Sequence, residues 1–217
     1  MKLSLFCPSK PYIVGQKFGE SLACAEDVNL PINKRKIASK VNGVCPPGFV
    51  DLYPLLGMKA HTGLDLYAPD GWILRAPCDG VVKEIQTEAE RGLGVGIITH
   101  DKRDMGEHGE HYAKTRQWHG KLILVQLNQE VRVGDPIMLA DSTGISGGSH
   151  NHFELKPVEY DSNGNHYNVF QDNDFFGAVD PVPFWSGYYA EDAKTLFQDI
   201  PAMIQRLAIA IQNFLRK

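Results

Sequence analysis

The amino-acid sequence predicts a mainly β fold of short antiparallel strands, followed by one C-terminal helix. Short apolar runs recur between residues 80 and 156, and turn-forming residues separate them. The 21 Gly and 13 Pro residues in a chain of 217 fit a fold with many tight turns. The last segment, in contrast, repeats its apolar residues at helical spacing.

Five apolar runs define the predicted strands. They cover Gly80–Ile85, Val95–His100, Lys121–Val125, two short segments within Val131–Leu139, and His150–Lys156. Before them, residues 11–60 predict irregular structure apart from a short strand at Tyr12–Val14. After them, Asn163-Gly164 predicts a hairpin turn.

These elements divide the chain into two predicted parts. Residues 1–187 form one domain with an insertion at 20–58, and residues 188–217 form an amphipathic helical tail. The tail places apolar residues from Ile200 to Leu215 on one face. Because its polar face lacks the basic character of a membrane-surface helix, we expect the tail to dock on the domain or to self-associate.

Composition argues against several classes of function. The formal net charge is -4 and no block of Lys and Arg occurs, so no nucleic-acid partner is expected. No apolar stretch reaches the length of a transmembrane segment. The apolar run Leu3–Phe6 is too short for a signal peptide, which predicts synthesis in the cytoplasm without an export signal.

The four cysteines lack the spacing of a metal or redox motif. No Cys-x-x-Cys pair occurs, which favours reduced and partly buried thiols. A Cys24–Cys45 bridge within the insertion is the alternative.

Two short motifs predict a zinc site. His150 and His152 lie two residues apart, and on a strand they share a face because side chains alternate. His61 and Asp65 are four residues apart and also share a face of an extended segment. Two imidazoles and one carboxylate suit tetrahedral zinc, with a fourth position for water. We therefore predict that His61, Asp65 and His152 bind one Zn²⁺ per chain and that a further histidine handles protons beside it.

The order of several motifs resembles one known family. In sequence order these motifs are Gly15–Gly19, His61-x-x-x-Asp65, Gly80–Val82, Gly94–Ile98, His119, and Thr143–Glu154 with its His-x-His. The series resembles the lysostaphin-type (LytM-like) zinc endopeptidases, which cut the peptide part of peptidoglycan. The resemblance covers roughly residues 12 to 185.

This resemblance implies a fold, a chemistry and a role for each site residue. The fold is a groove-shaped antiparallel β-sheet or sandwich with the metal on the groove floor. His61, Asp65 and His152 bind zinc, while His119 and His150 are catalytic residues that handle protons and orient water. The implied substrate is a peptide bond in peptidoglycan cross-bridges or stem peptides. The implied site of action is the cell wall, reached by lysis, a holin or a virion route.

The chain departs from the family pattern at three positions. The family often has Tyr two residues before the central histidine, Leu directly after it, and an apolar residue inside His-x-His. This chain has Gln117, Gly120 and Asn151 there. We expect different packing around His119, and we expect Asn151 to face away from the metal with little chemical effect.

Two other functions compete with the peptidase at this point. A non-catalytic wall-binding or hydrolase-activator relative would share the fold, but such relatives usually lose ligands and this chain keeps all five polar groups. A carrier domain of the sugar-phosphotransferase type also pairs two histidines, but it leaves His61 and Asp65 unexplained.

The remaining histidines and aromatic residues favour structural roles. His100 ends a strand, and His108 and His111 lie in an acidic segment typical of a solvated hairpin tip. Glu154 shares the face of His152 and is either its partner or exposed to solvent. Core packing is favoured over a place in the groove wall for five aromatic residues, namely Tyr53, Tyr67, Trp72, Trp118 and Trp185.

Overall fold

The computed structural model describes residues 1–9 and 12–188, and this part of the chain is mainly β, as predicted. In chain order the strands are β1 Leu5–Cys7, β2 Val14–Gln16, β3 Ala23–Glu26, β4 Ile37–Ser39, β5 Phe49–Asp51, β6 Leu64–Tyr67, β7 Ile73–Arg75, β8 Gly80–Glu88, β9 Gly92–Ile98, β10 Arg103–Asp104, β11 Glu110–Ile123, β12 Glu130–Val131, β13 Pro136–Ala140, β14 His150–Tyr160, β15 His166–Asn168 and β16 Trp185–Tyr188. The described helices are α1 at Leu52–Leu55 and short 3-10 turns at Ile32–Lys34, Gly106–His108 and Val182–Phe184. The predicted tail helix falls outside the described residues. In the described ranges, no helix has both the length and the apolar character of a membrane span.

One antiparallel sheet carries the candidate site. Its strands follow the order β12-β8-β9-β11-β14-β6-β2. Strands β10 and β13 also pair with β11, β15 pairs with β14, and β7 pairs with β13. The two longest strands, β11 and β14, pair continuously from Tyr112 opposite Val158 to Trp118 opposite His152. Separately, β1 pairs in parallel with β16 and so joins the two ends of the described chain.

The register of β6 against β14 decides which side chains form the site. Leu64, Leu66 and Phe153 point into one hydrophobic cluster and are fully buried. His152 and Asp65 lie on the opposite face, which we call the groove face. Burial of each large apolar side chain contributes about 1.5–3 kcal/mol, so a slip by one residue would remove all three from the core. The core therefore fixes the position of the site residues.

Strand β11 differs from its prediction. The apolar run 121–125 was expected to be a separate strand, but its first part is the end of a strand that begins at Glu110. Lys114, Thr115 and Gln117 are buried there, so both faces of β11 carry buried polar side chains. The apolar alternation that identifies a half-buried strand is therefore missing, and His119 lies inside the strand rather than before it.

The insertion at 20–58 is folded rather than irregular. Strands β3, β4 and β5 form a separate antiparallel sheet in the order β4-β3-β5, and α1 follows β5. A disulfide joins Cys24 to Cys45, whose Cα atoms lie 5.8 Å apart. The prediction of reduced thiols is wrong for this pair, whereas Cys7 and Cys78 are free and buried. These strands have three or four residues each, too few to show an apolar alternation, and the disulfide helps to hold them together.

Candidate metal centre

Strands β6 and β14 bring three predicted site residues together. His152 pairs with Asp65 across the two strands, so their side chains lie side by side on the groove face. His61 precedes β6 and reaches the same point because Gly63 lets the chain press against β14. A Cβ atom at Gly63 would lie 2.2 Å from the carbonyl oxygen of Phe153, so no larger residue fits there without a shift of the backbone.

Three ligand atoms converge at this point. His61 Nε2 lies 2.8 Å from His152 Nδ1, and Asp65 Oδ1 lies 3.0 Å from each of these nitrogens. Within the described residues, these side chains form a group whose ligand atoms all lie within 4.8 Å of one another. The structure thus brings the three predicted ligands together.

Contacts on the far side of each ring decide which nitrogen faces this point. His61 Nδ1 donates to the carbonyl oxygen of Lys17 over 3.0 Å, which leaves Nε2 of the neutral ring without a proton. His152 Nε2 lies 3.5 Å from Thr62 Oγ1 and 3.6 Å from Glu154 Oε1, so the ring proton belongs on Nε2 and Nδ1 is bare. The bare nitrogens of His61 and His152 and the Oδ1 atom of Asp65 then face one another with their lone pairs. A cation between them relieves this repulsion, and the donor set fits zinc.

The electrostatics of the metal-free site also indicate that a positive charge belongs between these three side chains. Burial opposes the charge on Asp65, but its contacts with the imidazoles of His150, His152 and His61 favour the ionised carboxylate and hold its pKa well below the ordinary value. Burial also opposes a charge on His152, but its contacts with Asp65 and Glu154 raise its pKa to about 9. A proton therefore occupies the place of the cation at neutral pH when no metal is bound.

His150 and His119 lie beside the three ligands with their ring centroids 4.6 Å apart. His150 Nδ1 donates to the carbonyl oxygen of Gly148 over 2.8 Å, and His119 Nδ1 donates to that of Thr143 over 2.7 Å. Each neutral ring is left with a bare Nε2, and His150 Nε2 lies 3.4 Å from Asp65 Oδ1. Burial, and to a lesser degree the charges of His150 and His152, lower the pKa of His119 to about 3. His119 is therefore neutral in the ordinary pH range.

An irregular step in β11 places His119. Its backbone has a φ of +67°, and the register with β9 shifts between Gln117 and Gly120. Such a bulge turns a side chain out of its regular direction, and its left-handed backbone is costly for a residue other than glycine. Gly120 then gives space to Met138, since a Cβ there would lie 2.2 Å from Met138 Sδ. The side chain of Met138 therefore occupies space next to the backbone that a Leu after the histidine would need.

The other two departures from the family pattern form one contact. Asn151 Nδ2 donates to Gln117 Oε1 over 3.1 Å, and Gln117 Nε2 donates to the carbonyl oxygen of Arg75 over 3.0 Å. Both side chains are buried, and Asn151 pairs with Leu66 on the face opposite to the metal ligands. A polar pair thus joins β11 to β14 behind the site, in agreement with the prediction that Asn151 faces away from the metal.

A cleft of about 710 Å³ opens over the site. The insertion contributes Leu22, Ile37 and Lys40 among other residues to its lining, and segments 88–91 and 145–149 line it as well. Three of the aromatic residues for which core packing was predicted, Tyr53, Tyr67 and Trp118, line it as well; Tyr53 and Trp118 are buried, whereas Tyr67 is exposed.

The remaining candidates are accounted for by local contacts. His100 pairs with Glu130 at 2.9 Å and His111 with Glu159 at 2.8 Å, both away from the cleft. Glu154 is fully buried and contacts His152, so of its two predicted environments the structure shows the partner rather than solvent. Sequence reasoning missed the residues that orient the rings. These are Lys17, Thr62 and Thr143. Thr62 follows His61 directly in the sequence, whereas Lys17 and Thr143 come next to their histidines only in the fold.

Comparison with known proteins identifies a family and a fold. The family described as Peptidase family M23 matches residues 59–169, just over half of the chain, and this span contains all five predicted site residues. A relative from Haemophilus influenzae, described as an uncharacterized metalloprotease, is 34% identical over 104 residues, which make up 48% of this chain and 20% of that protein. This chain thus spans about a fifth of the length of that relative.

Two solved structures resemble the chain. A chain of the SpoIIQ–SpoIIIAH pore-forming complex aligns with a TM-score of 0.50 and 16% identity, covering 86% of this chain and 93% of that one. The catalytic domain of lysostaphin from Staphylococcus simulans aligns with a TM-score of 0.49 and 20% identity, covering 80% and 91%. At such identities the likeness concerns the fold alone.

Proposed function

Because this chain belongs to peptidase family M23, we propose that it is a zinc-dependent endopeptidase that hydrolyses peptide bonds in peptidoglycan cross-bridges or stem peptides. The observation that carries the proposal is the convergence of three ligand atoms, 2.8–3.0 Å apart, beside two further imidazoles in an open cleft. The family match also confirms the resemblance inferred from the order of the motifs.

The proposed metal ligands are His61 Nε2, Asp65 Oδ1 and His152 Nδ1. When bound, zinc supplies Lewis-acid activation of the scissile carbonyl and of the attacking water. One carboxylate against a divalent ion leaves the site with a net positive charge, which favours the developing negative charge on the substrate.

We assign the general base to His150 and a positioning function to His119. The His150 side chain is 20% exposed and its Nε2 lies 3.4 Å from the carboxylate of Asp65, which stabilises the ring once it has taken a proton. His119 is buried and has a low pKa, so it is poorly suited to become cationic. Its bare Nε2 is suited to accept a hydrogen bond from water and thereby to orient it.

The proposed site of action is the cell wall, which the protein would reach by lysis, a holin or a virion route. Disulfide bonds persist mainly in oxidising compartments outside the cytosol. The Cys24–Cys45 disulfide in the insertion supports a working environment of this kind.

A non-catalytic wall-binding or activator relative is the less favoured function. Such a protein would need the fold but not the five polar groups. Here all five lie together, and the rings of His61, His119, His150 and His152 are each held by a specific contact.

Digestion of purified peptidoglycan tests the proposal. Zinc-loaded wild-type protein should release new amino groups, and mass spectrometry of the fragments should name the bond that is cleaved. The His152→Ala variant serves as the control and should release none. Zinc binding without release of amino groups from several wall types would instead favour the non-catalytic relative.

A further inference from the structure

We propose that Thr62 and Glu154 act together as positioning residues that hold His152 in the form that binds metal. This inference rests on the proposed function, because it concerns a ligand of the proposed zinc site. The two residues would fix the ring proton on Nε2 and direct the bare Nδ1 towards His61 and Asp65.

The direction of the hydrogen bonds follows from the contacts. Thr62 Oγ1 donates its hydrogen to Glu154 Oε1 over 2.7 Å. Because that hydrogen is committed to the carboxylate, a lone pair of Oγ1 faces His152 Nε2 at 3.5 Å. Glu154 Oε1 itself lies 3.6 Å from the same nitrogen. An N–H on Nε2 meets two acceptors, whereas a bare nitrogen there would face only lone pairs.

Each metal-ligand motif contributes one of the two residues. Thr62 follows the ligand His61 directly, and Gly63 brings this segment against β14. Glu154 follows the ligand His152 by two residues on the same face of β14. The two motifs are therefore joined on the far side of the His152 ring as well as at the ligand atoms.

The charge of Glu154 is balanced without involving Oε1. The residue is fully buried, and a carboxylate in that position is costly unless cations compensate for it. Lys156 Nζ lies 3.4 Å and an Arg116 nitrogen 3.8 Å from the other oxygen, Oε2. In the described part of the chain, Oε2 has no hydrogen-bond partner. The two cations thus approach Oε2, while Oε1 contacts Thr62 and His152. An ion pair with a purely structural role would not require this division between the two oxygens.

The affinity for Zn²⁺, measured by competition with a chromophoric chelator, tests the inference. Removal of an outer partner of a metal-binding histidine typically weakens metal binding 10–100-fold. We expect about this loss for Thr62→Val, and affinity within a few-fold of wild type for Thr62→Ser, which keeps the hydroxyl. Thr115→Val is the matched control. Thr115 is as well buried, its Oγ1 has no hydrogen-bond partner in the described residues, and it lies on β11 away from His152, so zinc affinity should not change.

The carboxylate is tested in the same way. Glu154→Gln should weaken zinc binding about tenfold because the neutral amide is a weaker acceptor. Glu84→Gln is its control, since Glu84 is also a buried carboxylate that pairs with Arg116 but does not contact His152. If Glu154→Gln does not fold, the two Thr62 variants still decide the question.

A second readout separates positioning from general loss of structure. In the zinc-loaded wild type, ¹⁵N–¹H correlation of the His152 ring should show a protected Nε2–H. Thr62→Val should make this proton exchange faster, while Thr115→Val leaves it unchanged. Equal zinc affinity in wild type, Thr62→Val and Glu154→Gln would overturn the inference, as would absence of zinc binding by the wild type. Zinc binding with the expected losses but without cleavage of peptidoglycan would uphold the inference and reject the proposed function.

Discussion

At the scale of single residues, the candidate site is defined by where protons are absent. The carbonyl oxygen of Lys17 accepts a hydrogen bond from Nδ1–H of His61, and Thr62 and Glu154 are the acceptors that face Nε2–H of His152. Both bare nitrogens then face the carboxylate of Asp65, a combination that requires a cation. His119 and His150 lie outside this set of three ligands and do not require a cation. Substitutions of the ligands and of these two histidines should therefore have different effects.

Alanine substitutions should separate these roles. His61→Ala removes one of three ligand atoms and should abolish stoichiometric zinc binding together with activity. His150→Ala should keep zinc near one per chain and lower turnover about 10²–10⁴-fold, the usual contribution of a general base. Metal analysis and initial rates of amino-group release measure both effects. Loss of zinc from His150→Ala would show that the division of roles is wrong.

The raised pKa of His152 predicts a pH dependence of metal binding. With a pKa of about 9 in the metal-free protein, the ring holds a proton at pH 7 that zinc must displace. Zinc affinity should therefore rise about tenfold per pH unit from pH 7 and level off above the pKa of His152. Binding at pH 7 should release about one proton, measured by calorimetry in buffers of different ionisation enthalpy.

The same shift affects the stability of the metal-free protein. Since the pKa of His152 in the folded protein lies above the ordinary value of 6.5, its contribution to the free energy of unfolding is complete below pH 6.5 and is lost as the pH rises through about 9.

An affinity for zinc that does not change between pH 7 and 8 would contradict the proposed protonation of His152.

Part of this site could be predicted from the sequence. The spacing of His150 and His152 and of His61 and Asp65 places each pair on one face once a strand is assumed. The orienting contacts could not be predicted in the same way. Thr62 reaches Glu154 only because β6 and β14 lie next to each other in one register, which is a property of the fold rather than of either motif.

At the scale of elements, the pair β11 and β14 carries the site on one face and a buried polar pair on the other. Gln117 and Asn151 replace residues that are often Tyr and apolar in the family, and each departure looked unrelated when taken alone. Their hydrogen bond shows that they form a matched pair across the strands. The sequence alone does not show this relation, because the two positions are 34 residues apart and meet only through the register of the two strands.

A double-mutant cycle tests this pairing. Asn151→Leu should cost about 1–3 kcal/mol of unfolding free energy, because it leaves Gln117 Oε1 buried without this hydrogen bond. Gln117→Leu should likewise destabilise the fold, and the double variant should lose less than the sum, with a coupling of about 1 kcal/mol. Urea denaturation measures these values. Asn151→Leu combined with Thr115→Val should be additive, since Thr115 pairs with Leu155, four residues along β14 from Asn151.

At the scale of the whole molecule, the insertion at 20–58 turns a sheet surface into a cleft. Residues of its three-stranded sheet line the cleft, and the sheet is held by the Cys24–Cys45 disulfide and by an ion pair of 2.6 Å between Lys40 and Asp51. The resemblance in motif order predicted the groove, but the structure of the insertion was not predicted. Its strands are too short to show a pattern, and sequence alone does not decide whether two distant cysteines meet.

Removal of the disulfide should weaken the insertion. Replacement of both Cys24 and Cys45 by Ser should lower the unfolding free energy by about 3 kcal/mol, as expected for a loop of this length. The variant should also raise KM more than it lowers kcat, because the insertion lines the cleft and provides no proposed catalytic group. Reducing agent should destabilise the wild type and leave the variant unchanged. Equal stability of the two proteins without reducing agent would contradict the proposed role of the bridge.

The central claim is that the converging atoms of His61, Asp65 and His152 hold the one metal ion that hydrolysis requires. Stepwise addition of zinc to metal-free protein, with peptidoglycan cleavage measured at each step, tests it most directly. We predict that activity is absent without metal, rises in proportion to added zinc, and stops rising at one zinc per chain. Cleavage by the metal-free protein, or full zinc occupancy without cleavage, would contradict the account.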